Sequence, residues 1–377
     1  MECAVLPGLE EDGKLGFGLM RLPKKDGQID VEQVKTMVDM YMGAGLTYFD
    51  TAWAYPGSEE AIRQALIERY PRESFALATK IAAWRCESRE EALAQLGTSL
   101  ERTGAGYIDY YLLHNLGESR TAYFDRYGIW DFAQEMKKAG KVKHVGFSFH
   151  SRAKELEKIL EEHPEMEFVQ LQINWADWDS PTIESRKCYE TARRYGKPII
   201  VMEPIKGGLL ADPPEKVKEI LDGDRSGKSY ASWALRFAAS LPGVSKVLSG
   251  MSNVEQMADN LSFMKDFRPL DEREKETIAD AQVAMASLPI IPCTACDYCA
   301  KACPKNIGIS GTFSAMNIVN LYGYSDFAKS EENWLVKLHG KNPGTECIGC
   351  GECEKVCPQH INIREELKKA NATFYPG

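Results

Sequence analysis

Several ordinary signals are missing from this chain, and each absence narrows what it can do. No run of lysine and arginine is dense enough to track a phosphate backbone, and 46 basic against 55 acidic residues leave a net charge of -9. Nucleic acid and anionic membranes are therefore not expected as partners. No apolar stretch approaches the roughly 18 residues of a membrane span. The opening "MECAVLPGLEEDGKLGFG" lacks the basic start and apolar run of an export signal. A soluble, cytoplasmic protein is the expectation. No arginine cluster in the sequence argues for a phosphorylated substrate. Cysteine is scarce outside two short runs: of 11 cysteines, eight fall in those runs, whereas a secreted disulfide framework would scatter them. Cys3, Cys86 and Cys188 stand outside and read as ordinary thiols.

What the chain does contain is a repeated two-beat unit between residues 15 and 265, a short apolar run followed by a longer stretch with helical period. The runs are "LGFGLM" (15–20), "TYFD" (47–50), "FALATK" (75–80), "YIDYYLLH" (107–114), "HVGFS" (144–148), "FVQLQIN" (168–174), "PIIVMEP" (198–204) and "VSKVLSG" (244–250). Eight such runs alternating with helices predict an α/β fold, a parallel eight-stranded (β/α)8 TIM barrel. A doubly wound open sheet is the competing architecture, and no G-x-G-x-x-G follows the first strand to support it. "SREEALAQLGTSLERTG" opens on Ser88, carries a Glu three residues on and closes on Gly104, a capped helix. At 377 residues the chain exceeds one core of about 250–300 residues. We therefore expect a barrel over 1–288 and a second unit over 289–377, with the boundary near Pro289.

In such barrels the residues at the carboxyl ends of the strands carry the chemistry. The second run ends "FDTAWAYPGSEE", giving Asp50 and Tyr55; the third ends in Lys80 and the fourth in His114. Together they make a sensible site for reducing a carbonyl, which needs a proton donor for the developing alkoxide. A free tyrosine holds its proton tightly, and an adjacent Lys80 ammonium is expected to lower its pKa. Asp50 would keep the lysine charged and aimed, and His114 would orient the substrate oxygen.

At these residues the sequence resembles the aldo/keto reductase superfamily, through "LGFGLMRL", "FDTAWAYPGSEE", "ATK", "YYLLHN" and "VGFSFH". The resemblance implies an NAD(P)H-dependent oxidoreductase that interconverts an aldehyde, ketone or sugar with its alcohol, with Asp50, Tyr55, Lys80 and His114 as catalytic tetrad. It implies a nicotinamide cofactor lying extended across the barrel mouth. Ser148 and Gln170 would hold the carboxamide, Gly18, Leu19 and Met20 would touch the ribose, and Asp50 would also border the cofactor. In "MEPIKGGLL", Met202 aligns with the platform residue, Lys206 with the flexible Gly207 and Gly208 would serve the pyrophosphate, and Leu209 would also contact the cofactor; Gly250, Ser252, Gln256 and Asn260 would take the adenosine end. Three positions depart from the family pattern: Phe149 replaces an Asn, leaving His150 or nothing for that contact, Met202 replaces an aromatic, and Ser252 and Asn253 stand where many members place an Arg for the 2'-phosphate. The last departure tilts the expectation towards NADH.

"CTACDYCAKACP" (293–304) and "CIGCGECEKVCP" (347–358) share the spacing C-x-x-C-x-x-C-x-x-x-C-P. Four thiolates at that spacing followed by proline favour iron–sulfur clusters over zinc, and in two-cluster ferredoxins the fourth cysteine of each run serves the other cluster. That assigns Cys293, Cys296, Cys299 and Cys357 to one [4Fe-4S] centre, and Cys347, Cys350, Cys353 and Cys303 to the second. The intervening "SGTFSAMNIVNLYGYSDFAKSEENWLVKLHG" has helical character, so the unit resembles a helical ferredoxin, and the whole chain resembles aldo/keto reductases with a C-terminal ferredoxin domain. The expected partners are a small-molecule carbonyl or alcohol and an electron-transfer protein. Three roles for the clusters stay open: exchange with that partner, support of a substrate radical step, and bracing of the barrel mouth. A nucleotide-binding redox sensor without turnover is the rival reading.

Overall fold

A β-branched strand buried on both faces reads as a continuous apolar run, and parallel pairing follows because each strand is joined to the next by a crossover helix. The computed structural model, which describes residues 5–9, 12–224, 227–323, 325–337 and 340–376, closes the eight runs into a barrel. The strands are β1 (Leu15–Gly18), β2 (Tyr48–Asp50), β3 (Ala76–Ile81), β4 (Ile108–Leu116), β5 (Val142–Phe149), β6 (Phe168–Gln172), β7 (Ile199–Met202) and β8 (Val244–Ser249). Each pairs in parallel with its sequence neighbours, and β1 closes the ring by pairing with both β2 and β8. Closure excludes the open sheet. Cys3 lies outside the described residues.

Two apolar layers hold the barrel. Inside it, Tyr48, Ala78, Tyr110, Leu112, Phe168, Ile200 and Leu248 pack with Leu6 and Leu9 of the N-terminal segment, and Tyr110 Oη donates to the Pro7 carbonyl. Outside it, the strands' other faces meet the helices through Val34, Met37, Leu96, Leu156, Ile159 and Leu235, among others. Gly146 is required where β5 meets β6, since a Cβ there would sit 2.5 Å from the Phe168 carbonyl oxygen. The capped helix runs Arg89–Thr103: the Ser88 side chain accepts from Glu91 N, and Gly104 turns left-handed with φ 67°. Ahead of the first crossover helix, Val31–Gly43, a small hairpin pairs Lys24–Lys25 with Gln28–Ile29 across Asp26 and Gly27, both at positive φ, as a two-residue turn of this kind demands.

Contacts divide the chain into one unit of Met1–Lys206 with Ser226–Ile278 and another of Gly207–Arg225 with Ala279–Gly377. The second unit is helical, with Ile309–Tyr322, Asp326–Lys337 and Ile363–Phe374 around a core of Ile307, Ile309, Phe313, Ile363, Leu367 and Phe374. Gly311 lets the first two of these helices approach closely, because a Cβ there would lie 2.7 Å from Leu335 Cβ. No described helix is long and apolar enough to cross a membrane.

Candidate active site and cluster recesses

Parallel register carries the polar strand ends to one mouth. Gly18 pairs with Asp50, Lys80 with Leu112, and Ser148 with Gln170. Lys80 Nζ donates to Asp50 Oδ1 at 2.5 Å and to the Thr51 carbonyl at 2.7 Å, while Gln170 Nε2 donates to Asp50 Oδ2 at 3.4 Å. Lys80 Nζ lies 5.1 Å from the Tyr55 ring centroid, and the Tyr55 and His114 rings meet edge to face at 5.8 Å. Asp50, Lys80 and His114 are buried, and Tyr55 is the member left partly exposed.

Burial is the largest influence on each of these groups. It works against the Lys80 charge, yet the Asp50 carboxylate and Tyr55 outweigh it, and the lysine's pKa ends above its ordinary value. Burial raises the Asp50 carboxyl, with Lys80 pulling it back. For Tyr55 the sequence reading needs correcting. Burial raises the phenol and Asp50 adds to the rise, together exceeding the lowering by Lys80, so the net shift is upward. Tyr55 is therefore a neutral phenol at ordinary pH. Burial holds His114 well below the usual imidazole range, with Lys80, His150, Arg85 and Arg120 adding to the effect, so its ring is neutral. His114 Nδ1 is buried and without a hydrogen-bond partner among the described residues.

The other expected contact residues fall into three groups. Ser148 and Gln170 are buried register partners, and their hydroxyl and amide are the donor and acceptor types a carboxamide needs; Ser148 Oγ accepts from Asn115 N at 2.7 Å. Around β1 and β8, Gly18 lies beside Gly250, and Met20 is exposed while Leu19 is buried. Ser252 Oγ donates to the Arg21 carbonyl, Ser252 N donates to Gln256 Oε1, and Asn260 is buried against Ser249 Oγ. Met202 is partly buried at the end of β7. Lys206 is gripped by Asp177, at 2.6 Å and 2.7 Å from its two carboxylate oxygens. Gly208 (φ 103°) and Leu209 group with the second unit, where Leu209 packs on that unit's core.

Sequence reasoning missed Asp177, which Asn174 braces through Nδ2 and Oδ1 at 2.9 Å and 2.8 Å. The Asn-x-x-Asp spacing in "NWAD" carries that signal. It also missed Glu203, a carboxyl raised by burial on left-handed backbone, φ 53°. Among the tryptophans that follow the strands, Trp175 is fully buried, Trp130 stacks on His163 and Trp178 packs with Tyr189 and Phe237. Trp53 and Trp84 remain partly exposed.

In the second unit the two cysteine runs fold alike. Ala295 and Asp297 in the first run and Gly349 and Gly351 in the second occupy equivalent positions, and all four have positive φ, as do Asn306 and His360 beyond them. Each run thus curls around a centre. One recess is lined by Cys303, Cys347, Cys350 and Cys353; the other by Cys293, Cys296, Cys299 and Cys357. No three described His, Cys, Asp or Glu side chains converge as they would around one metal ion. Four thiols spaced around a recess suit a polynuclear cluster rather than a single zinc. Burial and neighbouring thiols and carboxylate push the Cys299 thiol up to about 12, a cost that iron would remove by taking thiolate.

Residues 14–282 match the profile of the aldo/keto reductase family. The chain belongs to that family. Residues 292–362 match a 4Fe-4S dicluster domain, which implies two iron–sulfur clusters. The chain is 32% identical over 211 residues to the aldo-keto reductase str7 of Strobilurus tenacellus, spanning 52% of this chain and 59% of that protein. Among solved structures, the aldo-keto reductase AKR11C1 of Bacillus halodurans superposes with a TM-score of 0.59 at 22% identity, covering 71% of this chain and 91% of that one. An aldo-keto reductase of Klebsiella pneumoniae in complex with NADPH gives a TM-score of 0.56 at 20% identity, covering 71% and 90%. These two likenesses show the fold. The chain is thus an oxidoreductase of aldo/keto reductase type followed by a helical dicluster region.

Proposed function

We propose that the chain is an NAD(P)H-dependent carbonyl reductase, or alcohol dehydrogenase in reverse, with Asp50, Tyr55, Lys80 and His114 at its centre. The reading is carried by the buried Asp50–Lys80 pair set beside Tyr55, with a neutral His114 facing the same ring. A bound nicotinamide nucleotide would supply the hydride that reaches the carbonyl carbon. His114 donates an N–H to the carbonyl oxygen and fixes its direction. Tyr55 gives its proton to the same oxygen as negative charge develops there, and Lys80 stabilises the phenolate left behind. Asp50 keeps Lys80 charged and aimed. Ser148 and Gln170 would hold the carboxamide, and Lys206 would reach the pyrophosphate. Gly18, Leu19, Met20, Met202, Gly250, Ser252, Gln256 and Asn260 would line the rest of the nucleotide's path. The absence of arginine at Ser252 and Asn253 favours NADH, while the Klebsiella structure holds NADPH.

The functional parts on this reading are 1–288 and 289–377, the second holding two [4Fe-4S] clusters on the cysteine sets of the two recesses. The cluster at Cys350 would exchange electrons with an external one-electron carrier, since Cys350 and Ile348 at its rim are exposed. The test is isotopic. Reduction of an aldehyde panel with [4-²H]NAD(P)H, one stereoisomer at a time, should deliver deuterium to the carbinol carbon of the product alcohol. Alcohol formed without deuterium from either isomer overturns the reading.

A further inference from the structure

Three basic residues scattered through the sequence follow three neighbouring strands at the barrel mouth. Arg85 ends the short helix Ala83–Arg85 after β3, Arg120 ends Glu118–Arg120 after β4, and His150 follows β5 directly. These three strands are neighbours in the barrel, in register at Ile81↔Leu113 and Leu116↔Phe149. The connecting backbone is tied together there. Arg120 Nε donates to the Asn115 carbonyl at 2.8 Å, next to His114, and His150 N donates to the Leu116 carbonyl at 2.9 Å. Arg85 is exposed and lies over the Trp84 ring at 5.0 Å, while Arg120 and His150 are partly exposed. After burial, the largest influences on His114 come from the basic groups Lys80, His150, Arg85 and Arg120. The expected nucleotide contacts, by contrast, lie at the ends of β5 to β8 and of β1 and β2, so the ends of β3 and β4 are left for the substrate.

We propose that the substrate carries an anionic group, a carboxylate or a phosphate, which Arg85, Arg120 and His150 receive while its carbonyl oxygen lies at His114 and Tyr55. This rests on the reductase reading and names the substrate class. A planar guanidinium pairs bidentately with either oxyanion. Three cations from three loops were invisible as a cluster in the sequence because only barrel closure brings the strand ends together.

The test compares matched substrates on the NAD(P)H-loaded full chain: 4-carboxybenzaldehyde against methyl 4-formylbenzoate, and glyceraldehyde 3-phosphate against glyceraldehyde. The account expects kcat/KM for the anion to exceed that of its neutral partner by about tenfold or more in at least one pair, and the pair that responds distinguishes carboxylate from phosphate. Arg85→Gln and Arg120→Gln should each reduce that ratio, and Arg85→Lys should recover part of it. A second readout needs no turnover: 4-carboxybenzyl alcohol and its methyl ester are titrated into the NADP⁺-loaded protein by tryptophan fluorescence, and the acid should bind more tightly. Equal handling of anion and neutral partner in both readouts, unmoved by the arginine variants, overturns the inference. If no aldehyde is reduced the reductase reading fails by itself, and the titration still decides whether this face prefers an anion.

Discussion

Lys80 Nζ sits 2.5 Å from Asp50 Oδ1, and both side chains are almost wholly removed from solvent, at 1% and 4% exposure. With water excluded, each charge depends on the other. Asp50→Asn leaves a buried ammonium uncompensated and is expected to cost about 3–5 kcal/mol of unfolding free energy. Adding Lys80→Met should recover part of that loss. Urea unfolding of the two variants decides: a near-neutral Asp50→Asn contradicts the pairing.

The depressed His114 pKa links stability to pH. The folded imidazole resists a proton that the unfolded one accepts near pH 6.5. Below that pH the unfolded state binds more protons, so this residue's contribution is intact above pH 6.5 and is lost as pH falls. His114→Gln should flatten the decline in stability between pH 6.5 and about 5. A slope identical to that of the parent chain contradicts a buried neutral ring.

Glu274 gives an acid-limb counterpart with the opposite cause. Arg236 holds it at 2.6 Å and 2.8 Å and Lys228 also pairs with it, outweighing burial and taking its carboxyl down to about 2. Its stabilisation is present above the ordinary value of 4.5 and lost as pH falls towards about 2. Thermal melts of Glu274→Gln should show a lower melting temperature at neutral pH and a gap from the parent chain that closes in acid. A gap constant with pH counts against it.

The barrel was legible because strands buried on both faces are written as mostly apolar runs, as in β3 and β4, and because Ser88 and Gly104 carry helix-end chemistry of their own. The dicluster character of the C-terminal region was legible from cysteine spacing. What spacing cannot express is the balance of burial against charge, which turned the Tyr55 phenol upward. Nor can it express partners brought in from elsewhere: Asp177 on Lys206, or the arginines of separate loops beside His114. The assignment of Gly207–Arg225 to the second unit was equally hidden, since "GGLL" reads like any turn.

The two cysteine loops predict an asymmetry between equivalent positions. Ala295 has φ 47° and Gly349 φ 72°, a region that costs a residue with a Cβ roughly 1–2 kcal/mol. Gly349→Ala should lower stability or iron retention, and Ala295→Gly should be neutral or stabilising. Iron analysis with thermal melts checks both, and the reverse order refutes the shared loop geometry.

Cross-wise ligation has its own signature. Cys303→Ser should perturb the cluster held by Cys347, Cys350 and Cys353, and Cys357→Ser the one held by Cys293, Cys296 and Cys299, following the recess linings. In reduced samples, electron paramagnetic resonance of Cys303→Ser should match that of Cys350→Ser. A match to Cys296→Ser would mean that each run keeps its own fourth cysteine.

On the proposed reading Tyr55 is the proton donor of a hydride-transfer site. Its most direct test is Tyr55→Phe, prepared anaerobically with full iron content and measured for carbonyl reduction and for nucleotide binding. Turnover should fall by about 10²–10⁴-fold while the nucleotide dissociation constant holds. Turnover at the parent rate would contradict the account.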